Sequence, residues 1–264
     1  MPGTLYVVAT PIGNLEDVTL RALRILRDVA LVAAEVTRRT ARLLQHYSIS
    51  TRTTSLHEHN ERAKTPGLVA RLLAGDSIAL VSDAGTPMVA DPGAHLVRAA
   101  HEAGVRVEPI PGANAAVAAL SASGFQAGEF TFVGFPPPKV GARRKWLERL
   151  ASEPRTLVMY EAPHRVVATL DDIATIFGNR PICIGRELTK CHEQLVISTT
   201  PMVRGLLAEP KGEYTLVVGG RNDEVGLDVV PPTPSTVAAE FGHLTGEMGF
   251  ERRAALRQIA VRHK

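Results

Sequence analysis

A chain of 264 residues is long enough for two domains with a core each, and its 45% hydrophobic and 22% charged residues place it with folded rather than disordered proteins. No apolar run approaches the roughly 20 residues of a membrane-spanning helix, and no basic-then-apolar leader opens the chain, so a cytoplasmic protein without a membrane partner is expected. The net charge of +3 permits an anionic partner without demanding one.

Leu5 to Ala9 is a short apolar run closed by Thr10-Pro11-Ile12-Gly13-Asn14, which predicts a buried strand entering a tight loop. Leu20, Leu23, Ile25 and Leu26 share one face while Arg21, Arg24 and Arg27 point elsewhere, so an amphipathic helix is predicted near 18–28, with the next strand over 29–34. A strand over 77–81 ends in Ser82-Asp83-Ala84-Gly85-Thr86-Pro87, a helix follows over 93–103, and a strand over 105–110 ends at Pro111-Gly112. This alternation argues for a parallel sheet covered by helices, a first domain over 1–121. The small, polar run 121–128 suits a hinge. A second α/β domain over 122–221 follows, with strands at 130–133, 156–160, 182–184 and 214–218 and helices at 141–150 and 164–177. Beyond it, Val229 to Pro234 reads as an extended linker and 250–264 as a basic helical tail, together spanning 222–264. Its end at Arg262-His263-Lys264 lacks a cap or breaker, as an element continuing past Lys264 would.

Ligands of open α/β sheets bind outside the carboxyl ends of the strands, and three such ends here carry glycine and proline loops: 10–14, 82–87 and 111–115. None is GxGxxG or GxxxxGK[ST], which ranks nicotinamide and P-loop enzymes low. Asp83-Ala84-Gly85-Thr86 lacks the second carboxylate of an aspartyl-phosphate site. His57-Glu58-His59-Asn60-Glu61 lacks HExxH spacing and reads as a surface polar segment or an RNA contact, and Cys183 and Cys191 read as free thiols, so no metal is expected. Arg38, Arg39 and Arg42, and likewise Lys139, Arg143, Arg144 and Lys145, read as solvated faces available to phosphate.

The stretches VATPIGNLEDVTLRAL (7–22), ALVSDAGTPMVADPG (79–93), YEAPHR (160–165), RELTK (186–190) and KGEYTLVVGG (211–220) are jointly specific. Through them the chain resembles, over roughly residues 4–220, the ribosomal RNA small subunit methyltransferase I family, a 2′-O-ribose methyltransferase branch of the tetrapyrrole methylase superfamily. The resemblance implies two α/β domains with the cofactor cleft between them, plus a C-terminal helical extension. It implies S-adenosylmethionine held by Pro11, Ala84, Gly85, Thr86, Val89, Asn114 and Ala115, with Glu161 and Leu188 from the second domain. Asp83 is added on chemistry, since a carboxylate there can meet a cofactor ammonium or hydroxyl. A cytidine of 16S rRNA, free or in the small subunit, as substrate and a homodimer are implied in the same way.

Two departures from the family pattern stand out. Val36 occupies the acidic position of AEDTR, and Ala113-Asn114 replaces the Pro-Ser of PGPSA. Methyl transfer to a ribose hydroxyl needs in-line positioning and a route for the proton, for which Glu35, Glu161 and Lys190 are the candidate catalytic groups. Each of the three reads equally as an interdomain brace. Two rival functions remain at this level: a tetrapyrrole methyltransferase of the same fold, and a non-catalytic rRNA-binding assembly protein. Arg252, Arg253, Arg257, Arg262 and Lys264, against the lone acid Glu251, suggest that the tail meets RNA.

Overall fold

The computed structural model describes residues 1–203 and 210–220, with positions 241, 242, 245, 252, 253 and 256 beyond them. The expected linker and basic tail therefore lie almost wholly outside the described residues. Among the described residues no helix is long and apolar enough to cross a membrane.

The first half runs β1 (Thr4–Val8), a 3-10 turn (Leu15–Asp17), α1 (Leu20–Asp28), β2 (Leu31–Ala34), α2 (Thr37–His46), β3 (Thr53–Ser55), α3 (Glu61–Leu73), β4 (Ile78–Val81), α4 (Ala94–Glu102) and β5 (Arg106–Ile110). Its sheet has the order β3-β2-β4-β1-β5 and every pairing is parallel, as the strand-helix alternation predicts. Parallel strands are covered on both faces, which is why β2 and β4 read as unbroken apolar runs and are buried at every position. Leu23, Leu26, Leu43 and Leu44 of α1 and α2 pack on one face with Val8, Val32 and Val81. Leu68 and Leu72 of α3 and Leu96 of α4 cover the other, against Leu5, Leu31 and Leu80. The order places the ends of β1, β4 and β5 side by side, so the three glycine and proline loops meet at one edge.

The second half runs α5 (Ala115–Ser123), β6 (Phe130–Phe132), α6 (Val140–Leu150), β7 (Thr156–Glu161), α7 (Val166–Phe177), β8 (Pro181–Arg186), β9 (Gln194–Thr199), α8 (Thr200–Val203) and β10 (Tyr214–Val218). Its sheet has the order β6-β7-β10-β8-β9, with β6 parallel to β7 and the other pairs antiparallel. The helices α6 and α7 cover one face through Leu147, Leu170 and Ile173. On the other, Ala116, Ala119 and Leu120 of α5 pack on Val158, Cys183 and Val217.

Three expectations change. The strand expected from Val29 starts at Leu31, because the Val29 N–H still bonds to Ile25 O as the C-cap of α1. Ser121 to Ser123, read as part of a hinge, form the last turn of α5, and Gly124 in the left-handed region ends it. Arg143, read as solvated, is only 3% exposed; its guanidinium bonds to Asp172 at 2.7–2.8 Å, and Arg144 meets the same carboxylate at 2.7 Å.

Candidate functional site

The loop after β1 is bonded to the loop after β4, with Thr10 N–H donating to Gly85 O at 2.9 Å and Gly85 N–H to Thr10 O at 3.0 Å. This turn needs a residue at φ 77, and an added Cβ at Gly85 would lie 3.2 Å from Ile12 Cγ2, so glycine is used for both conformation and closeness. Thr86 Oγ1 then donates to Ala113 O at 3.1 Å, tying in the third loop. Asn114 caps α5 by accepting from Val117 N–H at 3.1 Å, which fixes where that helix begins.

These loops form one wall of a cleft of about 370 Å³, and the second half supplies the other through Phe135, Tyr160, Glu161, Ala162, Glu213 and Tyr214. Asp83, Ala84, Gly85, Thr86, Val89, Asn114, Ala115 and Glu161 of the expected cofactor set line it, and Glu35 joins them. Pro11 does not; its neighbour Ile12 faces the cleft in its place. Leu188 is not among the lining residues; it packs in the cluster of α5 with Cys183 and Val217, which the cleft residue Tyr160 also joins, and approaches Gly185. Lys190 is also outside it. Its ammonium bonds to Glu187 Oε1 at 2.8 Å and to Glu213 Oε2 at 3.0 Å, and although burial disfavours its charge, these hydrogen bonds outweigh burial and raise its pKa.

The candidate catalytic groups thus separate. Glu161, 2% exposed, accepts from Ala162 N–H at 2.8 Å and Thr169 Oγ1 at 2.5 Å and pairs with Arg165 at 2.7 Å, so both its oxygens are engaged in holding the turn between β7 and α7. Glu35, at the end of β2, has its pKa raised by burial and then by the charge of Asp83. Asp83 accepts from Val36 N–H at 2.9 Å and from Arg39 at 3.0 Å.

Sequence reading missed Asp91. Its carboxyl lines the same cleft and is pushed up to about 6, first by burial and then by the charge of Glu35. Met88 and Ala90, just before it, both sit in the left-handed region at φ 68 and 67, a conformation that costs a non-glycine residue energy. Asp91 falls inside the quoted stretch 79–93, which was the available signal. Tyr160 was missed too; its hydroxyl accepts from Ala116 N–H at 3.2 Å and burial raises its pKa, so it keeps a proton to donate. Arg39 and Glu213 complete the polar lining. Cys183 is buried, its thiol pushed up to about 11 by burial, and Cys191 is exposed; both are free thiols.

His57, Asn60 and Glu61 are drawn into the fold rather than left as surface. Asn60 Oδ1 accepts from His57 N–H at 2.9 Å, and the buried Glu61 carboxylate accepts from His95 N–H at 2.7 Å and Leu96 N–H at 3.2 Å, capping α4, whose own cap is Gly93. Among the described residues no group of three or more His, Cys, Asp or Glu is arranged to hold a metal ion.

The family model for Tetrapyrrole (Corrin/Porphyrin) Methylases matches residues 4–203. The chain is 53% identical over 259 residues, 96% of its length and 91% of the relative's, to the ribosomal RNA small subunit methyltransferase I of Pseudomonas aeruginosa. It is 48% identical to the Haemophilus influenzae protein of the same name, covering all of this chain and 98% of that one. Among solved structures, the methyltransferase CobJ aligns with a TM-score of 0.64 at 18% identity, covering 85% of this chain and 97% of CobJ. Uroporphyrin-III C-methyl transferase from Thermus thermophilus, complexed with S-adenyl homocysteine, aligns at 0.59 and 21% identity, covering 82% and 97%. At such identities these two show a shared fold.

Proposed function

Because the chain belongs to the ribosomal RNA small subunit methyltransferase I family of the tetrapyrrole methylases, we propose that it transfers a methyl group from S-adenosylmethionine to the 2′-hydroxyl of a cytidine ribose in 16S rRNA. The observation that carries this reading is similarity along nearly the whole chain to relatives bearing that name, whereas the likeness to tetrapyrrole enzymes is one of fold. A non-catalytic assembly role leaves the acid-lined cleft unexplained.

The residues present fit the cofactor. Ala115 begins α5 at the cleft, where the positive end of a helix favours a carboxylate; Asp83 offers an acceptor for an ammonium or hydroxyl; Ile12 and Val89 offer apolar surface. When bound, S-adenosylmethionine supplies an electrophilic methyl group on a sulfonium that leaves as a neutral thioether.

The protein's own task is to hold the acceptor hydroxyl in line and remove its proton as the new O–C bond forms. Glu35 and Asp91, two partly desolvated carboxylates lining the cleft, suit that role, and Asp91 stays protonated until pH rises through about 6. Glu161 and Lys190 hold the second wall: the first fixes the β7 to α7 turn through Arg165 and Thr169, the second gathers Glu187 and Glu213. Both are positioning residues.

Tritiated methyl transfer to small ribosomal subunits, free rRNA and a tetrapyrrole precursor tests the reading. Label on the ribose of subunit RNA is expected, and label on the tetrapyrrole alone, or none, overturns it. The cytoplasm is the proposed compartment, with a homodimer as the proposed assembly. Light scattering at micromolar concentration should give twice 28.3 kDa, and a mass near one chain refutes the dimer.

A further inference from the structure

The helices α1 and α2 lie side by side on one face of the first sheet, where Arg27 bonds to Tyr47 O and Thr51 Oγ1 to Leu26 O. Their sequences, LRALRILRD and TRRTARLLQH, hold six arginines against the single acid Asp28. Arg21 pairs with Glu108 and Arg39 with Asp83, but Arg24, Arg38 and Arg42 are exposed and have no partner among the described residues. Charge on α2 is placed against its own stability: Arg38 and Arg42 are four residues apart on one side, and two arginines crowd the positive end of a helix that has no acid in its first turn. On the opposite face of the sheet the cations of α3 are partnered, Lys64 with Thr54 and Ser55, Arg62 with His95 and Arg71 with Asp76, and α4 sets Glu102 beside Arg98. The α1/α2 face also runs into the site, since Arg39, one residue from Arg38, lines the cleft.

We propose that the exposed arginines of α1 and α2 are the surface on which the RNA phosphate backbone docks to deliver its ribose to the cleft. This rests on the reading of the chain as an rRNA methyltransferase. Unpaired guanidinium groups suit phosphate because they present planar, bidentate donors, and neutralising phosphates releases counterions, which makes binding depend on salt.

The test compares wild type, the triple variant Arg24→Gln/Arg38→Gln/Arg42→Gln, and the control Arg98→Gln on the exposed face of α4. Each is assayed for small-subunit binding across a salt series, for methyl transfer and for S-adenosylmethionine affinity. In the triple variant, binding should weaken and the slope of log affinity against log salt should flatten by about 0.7 to 0.9 for each phosphate that is no longer neutralised. Its cofactor affinity should hold, showing that the fold is intact, and Arg98→Gln should match wild type. An active wild type whose triple variant keeps both affinity and slope overturns the surface and leaves the proposed activity standing. A wild type that neither binds nor methylates rRNA overturns both, and an equally weakened control overturns the assignment to this face.

Discussion

Asp91 sets a conflict between stability and activity. An ordinary carboxyl titrates near 3.8, but this one does so at about 6 because burial and the Glu35 charge penalise its ionised form. Between those values the folded state binds the extra proton, so stability falls as pH rises through that window and the penalty is fully present above about 6. The proposed role needs the ionised form, so the rate should rise over the same range. Asp91→Asn is therefore expected to lower kcat by about 10²-fold or more, remove the acid limb of the rate profile and raise the melting temperature at pH 8. An unchanged pH profile in the variant would eliminate Asp91 as proton acceptor. Asp172 makes the opposite case, a carboxylate whose removal harms only the fold. Asp172→Ala leaves the buried Arg143 guanidinium without its counter-charge and should cost about 3–5 kcal/mol in denaturant unfolding. A cost below about 1 kcal/mol would show that water replaces it.

At the scale of elements, α2 carries the consequence of a valine at its N-cap. Val36 is the N-cap, extended at φ −116 and ψ 99, and its side chain makes no capping bond. Asp83 from the loop after β4 compensates from outside, taking the Val36 N–H and anchoring Arg39. A neutral cap should add to this without crowding the acids, so Val36→Asn is expected to stabilise by about 1 kcal/mol and raise the melting temperature by about 2–4 °C. Calorimetry showing no rise would mean that Asp83 already satisfies the turn. The same helix explains what the sequence hides. Strands such as β4 and β7 were legible because burial on two faces leaves an apolar run. The arginine-rich α2 has only Leu43 and Leu44 as apolar markers of its inner face, α3 runs through Pro66, and β3 is a Thr-Thr-Ser edge strand. Most of the cleft was legible through its three loops. Asp91 was not, because its placement depends on two non-glycine residues in the left-handed region, which no local pattern announces.

At the scale of the whole molecule, the cleft exists only while its two walls are held together, and one joint between them is made by the loop after β1. Asn14 N–H donates to Thr189 Oγ1 at 3.0 Å, joining the loop after β1 to the loop after β8. Next to it Gly13 touches that loop so closely that an added Cβ would lie 2.8 Å from Thr189 Oγ1, 2.9 Å from Leu188 O and closer still to Lys190. The partner loop has little freedom to yield, with Glu187 and Thr189 at φ 50 and 67 and Lys190 tied to two carboxylates. Gly13→Ala must therefore push the walls apart rather than indent one of them. Neither core cluster of the first sheet contains residue 13, so the melting temperature should change little. Misplacing groups by about 1 Å costs up to 10²-fold in rate, so methyl transfer should fall by about 10- to 100-fold, with weaker S-adenosylmethionine binding by calorimetry. If the melting temperature drops while cofactor affinity holds, the joint is a brace for the fold alone and the two walls do not depend on it to form the cleft.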